Sequence, residues 1–183
     1  VTTRYRFDSS RLVRKAFLLA LCATPLAYSQ KNAEALSHGD SSFLKDAAEG
    51  GMGEVKLGEL AQQNGANDRV KMFGKHMVDD HTKAGNELQA LASRKGVTLP
   101  ADISIKQKAS YKLLSSKTGG SFDKSYMSSM VKDHQEDVAA FQKEADSGTD
   151  PDIKAFAAKM LPTLQEHLRT SQDVAHEVGV SEK

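Results

Sequence analysis

Four long segments of this chain repeat their apolar residues at the 3.6-residue period of an α-helix, and none shows sustained strand alternation. Residues that start and stop helices mark their ends. The first segment runs from about Ser42 to Gln63, with Asp40 or Ser41 as cap and Asn-Gly-Ala-Asn as its stop. The second runs from about Asp68 to Lys95, capped by Asn67 and closed by Gly96, with Pro100 beyond. The third spans about Phe122 to Ala145, with Ser121 as cap. The fourth opens on Asp150-Pro151, an N-cap followed by proline where a missing N–H costs nothing, and ends near Val178. The expected fold class is all-α.

Connection lengths extend the argument. About four residues join the first segment to the second, and the third to the fourth, so each pair is expected to form an antiparallel hairpin. About 26 residues separate the pairs, and Ile105, Ala109, Lys112 and Leu113 suggest a short amphipathic helix among them. A connection of that length can return along the whole bundle, making the second and third segments parallel. Two hairpins joined by one long crossover define a ferritin-like four-helix bundle.

The inward stripes of these helices carry an unexpected residue type. The second segment buries Val70, Phe73, Met77, Ala84, Leu88 and Leu91, with His81 in the middle of the stripe. His134 falls centrally among Tyr126, Met130, Val138, Phe141 and Ala145. His167 falls among Phe156, Met160, Leu164, Val174 and Val178, and Glu54 lies in line with Phe43, Ala47, Leu57 and Ala61. His76 and His176 point to the opposite, solvated faces, and His38 precedes the bundle.

Burying several polar side chains costs stability unless they are paired or coordinated. Glu54, His81, His134 and His167 are therefore candidate ligands, and three imidazoles with a carboxylate suit one Zn, Cu or Fe ion. The competing arrangement is a metal-free network in which Glu54 accepts hydrogen bonds from the histidines. Asp80 and Asp133 each precede an inward histidine by one residue, where either can orient a histidine of a neighbouring helix. Met77 and Met130 lie one turn before two of the histidines, a spacing that also suits plain core packing.

The N-terminus reads as a targeting segment. Arg4, Arg6, Arg11, Arg14 and Lys15 precede an apolar run from Ala16 to Ala27, and Ala27-Tyr28-Ser29 offers a cleavage site. The expected organisation is a signal peptide at 1–29, a polar lead at 30–40, the helical domain at 41–178 and a tail at 179–183. Removing the leader takes the only cysteine with it and leaves 20 basic and 23 acidic residues out of the full chain's 25 and 24. A net charge of −3 without a basic stripe argues against nucleic-acid binding. The mature chain has no candidate transmembrane segment. The expected location is the periplasm, with any protein partner in the cell envelope.

Four blocks, "FLKDAAEGGMGEVKLGELA", "FGKHMVDDHTKAGNELQALASRKGVTLP", "FDKSYMSSMVKDHQEDVAAFQKEA" and "DPDIKAFAAKMLPTLQEHL", resemble the bacterial domain-of-unknown-function family 4142. The resemblance implies an exported protein with a ferritin-like bundle, of a kind often labelled predicted outer-membrane protein, and supplies no activity. Di-iron bundles place a glutamate three residues before each histidine ligand. Here those positions hold Val78, Val131 and Leu164, so di-iron chemistry does not carry over. Neither a nucleophile–base arrangement nor a haem-attachment sequence is visible. The reading is a binding protein, with a metal-free structural or stress-associated envelope module as the alternative.

Overall fold

The computed structural model describes residues 36–181, which form five α-helices and, among the described residues, no strand. They are α1 (His38–Asn64), α2 (Asp68–Arg94), α3 (Ile105–Ser115), α4 (Gly119–Ser147) and α5 (Pro151–Glu177). The expected signal peptide lies outside the described residues. None of the described helices is long and apolar enough to cross a membrane.

Two helix starts differ from expectation. α1 begins at His38, capped by the Ser37 hydroxyl, rather than after Asp40 or Ser41. The carboxylate of Asp40 is engaged elsewhere, by a turn 109 residues away. α4 begins at Gly119 after Thr118, so Ser121 is inside the helix rather than its cap. The other caps are as read from the sequence: Asn67 accepts from Arg69 N–H, and Asp150 accepts from the Asp152 and Ile153 amides ahead of Pro151. α1 continues without a break through Gly50, Gly51 and Gly53.

α1 packs on α2 and α4 on α5, with further contacts between α1 and α4 and between α2 and α5. Polar contacts at the ends set the helix directions. Asp40, at the start of α1, accepts hydrogen bonds from Thr149 and Asp150 in the α4–α5 turn. Lys95, after α2, pairs with Asp150 and Asp152 at the same end. At the opposite end, Asp123 of α4 accepts from the Ala66 and Asn67 amides in the α1–α2 turn. α2 and α4 therefore run in the same direction, as the long crossover predicts.

These contacts expose a duplication that the residue-by-residue reading missed. Asp40 and Asp123, Gly65 and Gly148, Asn67 and Asp150, Phe73 and Phe156, Met77 and Met160, and Gly96 and Gly179 all stand 83 positions apart without a gap. The structure repeats with them. Gly65 and Gly148 close their helices with φ/ψ of −63/146 and −57/153. Gly96 and Gly179 both take positive φ, 69° and 78°, and each is followed by a valine N–H bonded to an equivalent carbonyl, Ala92 or Ala175. The first helix of each hairpin lends a buried aspartate to the turn of the other.

Inside the first hairpin the helices touch backbone to backbone. A Cβ on Gly58 would stand 2.5 Å from the Gly74 carbonyl oxygen, and one on Gly74 would stand 2.7 Å from that of Gly58. Only glycine fits this crossing. The core divides into two apolar clusters, one around Phe73, Phe122, Tyr126 and Met130 and the other around Phe43, Leu88, Ile153 and Phe156. The expected crossover helix is present, but its inward face is not the expected one. Ile105 and Leu113 are 87% and 64% exposed, while Leu114 and the preceding Ile103 are buried. With eleven residues laid across the bundle, α3 anchors by one side chain and a capping box, Ser104 with Gln107.

Candidate metal centre

Between the two apolar clusters lies a polar layer. Met77 is in one cluster and Leu88 in the other, so the helical repeat places His81 at the junction, on α2. His134 on α4 follows buried Met130 by one turn, and His167 on α5 lies between Phe156 and Val174. One ligand-type nitrogen from each of the three histidines lies within 4.8 Å of the others. Phe73 packs edge-on against His134 and His167, walling the layer on its apolar side.

Hydrogen bonds fix the free nitrogen of two of the three rings. His134 Nδ1–H donates to the Met130 carbonyl at 2.9 Å, which fixes the tautomer with Nε2 as a free acceptor. His167 Nε2–H donates to Asp80 at 2.9 Å, so its Nδ1 is the free atom. His81 Nε2, His134 Nε2 and His167 Nδ1 are all sealed from solvent without a partner. Burial pushes each imidazole toward the neutral form, helped at His81 by the two neighbouring rings. His81 falls to about 3, His134 to about 4 despite the Met130 bond, and His167 is lowered although Asp80 opposes the shift. Three neutral imidazoles with inward lone pairs are what a borderline metal ion requires.

The residues singled out in the sequence separate into two groups. Asp80 orients His167 from α2. Glu54 is only 4% exposed, yet it does not belong to the three-histidine set. It shares a second cavity, of about 450 Å³, with Asp133, Asp137 and Gln107. Burial and the two aspartates raise the Glu54 carboxyl well above the ordinary range, and burial raises Asp133 and Asp137, the latter to about 7. Helical periodicity places a residue on a face but does not resolve which edge of that face it occupies. Glu54 and Asp133 both line the cavity between α1, α3 and α4. His76, His176 and His38 are exposed, although His38 is the first residue of α1 rather than ahead of the bundle.

Similar folds are known. A DUF305 fragment from Deinococcus radiodurans matches with a TM-score of 0.69 at 15% identity, covering 78% of this chain and 98% of that one. A candidate secreted protein containing DUF305 from Streptomyces coelicolor matches with a TM-score of 0.68 at 15% identity, covering 79% of this chain and 95% of that one. At such identity the likeness is one of fold. No curated protein matches the sequence. A family model described as a domain of unknown function, DUF4142, matches residues 25–174. The match spans most of the chain, which therefore belongs to the DUF4142 family.

Proposed function

We propose that this protein binds one transition metal ion, Zn, Cu or Fe, through His81, His134 and His167, in a ferritin-like bundle exported to the periplasm. What supports the reading is that each of the three histidines has a sealed, unpartnered ring nitrogen and that the three rings each bring a nitrogen within 4.8 Å of the others. Among the described residues no donor reaches these three nitrogens, which favours coordination over a metal-free network. Asp80 holds the His167 ring with its Nδ1 lone pair free, the supporting role a carboxylate takes behind a metal-bound histidine. Bound there, a metal ion would supply Lewis acidity and a strong tie between α2, α4 and α5. Glu54 is left out of the ligand set because it lines the acidic cavity and is not in the three-histidine group.

The test is metal analysis of mature protein purified without a histidine tag. About one equivalent is expected in the wild type and much less in His81→Ala. Absence of bound metal, together with no uptake of Zn²⁺, Cu²⁺ or Fe²⁺, would sink the proposal.

A further inference from the structure

A cavity of about 650 Å³ lies against the histidine layer, between α1, α2 and α5. Its origin is legible in the duplication. Ala47, Ala48, Gly51, Ala84 and Gly85 line it. Eighty-three positions on, the second hairpin carries Met130, Val131, His134, His167 and Leu168. The second hairpin therefore fills its half of the bundle with two of the three histidines and their bulky neighbours. The first hairpin keeps the equivalent half open with small residues. No Cβ at Gly85 would meet any atom within 4 Å.

Val55, Leu88, Phe141, Phe156, Met160 and Leu164 add apolar wall, and charged and polar side chains such as Lys56, Glu59, Lys83 and Glu87 complete the lining. His81 also lines the cavity. Its Nδ1 is not among the sealed nitrogens, and it lies 3.8 Å from where a Gly51 Cβ would stand. Under the metal reading, in which the sealed Nε2 is the ligand atom, the ring proton is on Nδ1, on the Gly51 side. The cavity thus combines apolar walls with a hydrogen-bond donor, the composition of a small-molecule site of ordinary size.

We infer that this cavity binds a small, largely apolar molecule ending in a hydrogen-bond acceptor oxygen, held by contact with the apolar walls and by the Nδ1–H of His81. The inference rests on the metal reading only for the position of that proton; the apolar volume exists without it. Ketones and carboxylates share the required chemistry; Lys56, Lys83 and Lys159 at the lining are matched by Glu59, Asp80 and Glu87, so the charged groups favour neither head.

Nonanoate, 2-nonanone and nonyltrimethylammonium, which share one tail, are titrated into the full mature protein and followed by calorimetry and by methyl NMR. Saturable binding of one equivalent of an acceptor-headed probe is expected, for nonanoate and nonanone alike. The methyl shifts should centre on Ala47, Ala48 and Ala84. Ala47→Met with Ala84→Leu fills the space with larger apolar side chains, the first being the repeat's own residue. That pair should weaken binding at least about tenfold while leaving helical content and metal equivalents unchanged. Equal binding of the cationic amphiphile, shifts centred elsewhere, or undiminished binding by a folded filled variant would overturn the inference. Metal content is read on the same samples, so loss of metal with retained probe binding overturns the metal reading alone. The wild-type methyl map decides the case even if the filled variant does not fold.

Discussion

Asp80 shows how much one side chain can set in this fold. Its carboxylate accepts a hydrogen bond from the Nε2–H of His167 and so chooses which nitrogen of that ring remains free. Asp80→Asn keeps the shape but offers a weaker acceptor and a competing donor. It is expected to lower metal affinity by roughly 10–100-fold, read by competition with a chelator of known strength. Glu54→Gln should leave metal affinity unchanged, because Glu54 belongs to the other cavity; a comparable loss would return it to the ligand set. A second carboxylate pair governs pH dependence. Burial raises the Asp40 carboxyl, but hydrogen bonds from Thr149, Ser37 and Glu144 outweigh it and bring it to about 2. Burial, and then the bond to Asp40, raise Glu144 to about 7. The stability from protonated Glu144 is fully present below pH 4.5 and lost as pH rises through 7. That from ionised Asp40 is present above 3.8 and lost as pH falls through 2. Urea unfolding across pH 4–8 should therefore show a decline toward the alkaline side that Glu144→Gln reduces, the remainder belonging to other raised carboxyls such as Asp137 and Glu54.

At the scale of the helices, the Gly58–Gly74 crossing decides how closely α1 and α2 pack. Gly58→Ala must push a methyl group into the Gly74 carbonyl, which costs more than the helix-propensity gain of about 1 kcal/mol. A net loss of about 2–3 kcal/mol is expected, measured by denaturant unfolding. Gly50→Ala is the control: nothing lies within 4 Å of its Cβ position, so it should gain up to about 1 kcal/mol. Sequence pattern alone reads both as helix-weakening glycines of one kind. What separates them is the carbonyl of a different helix. The same limit explains the crossover helix. Its existence follows from the pattern around Ile105–Ser115, whereas its buried face depends on how it lies across α1 and α4.

Across the whole molecule, the three histidines come from α2, α4 and α5, so a bound metal ties one hairpin to the other. Such a ligand stabilises the native state in proportion to its occupancy. Removing it with a chelator should lower Tm, and His81→Ala should have a lower Tm that the chelator no longer changes. If the chelator has the same effect on both, the metal acts elsewhere. The duplication adds a second lesson at this scale. The Met-Val-x-Asp-His echo around His81 and His134 joins helices that are not equivalents in the 83-position repeat, because α2 is the second helix of its hairpin and α4 the first of its own. The histidine layer is thus an asymmetric feature of a repeated frame, and the cavity occupies the other half.

The helices, most of their caps, the pairing into hairpins and the inward side of His81, His134 and His167 are legible in the chain alone. These follow from local propensity, from capping chemistry and from a period of 3.6 residues, all set within a few turns of chain. Packing between helices alone shows that Glu54 and Asp133 line a different cavity from the one beside His81 and His167, which nitrogens of His134 and His167 are engaged, and that small residues in one hairpin leave space beside the histidines. Those outcomes depend on the rotation and spacing of neighbouring helices, and contacts between side chains distant in sequence set both.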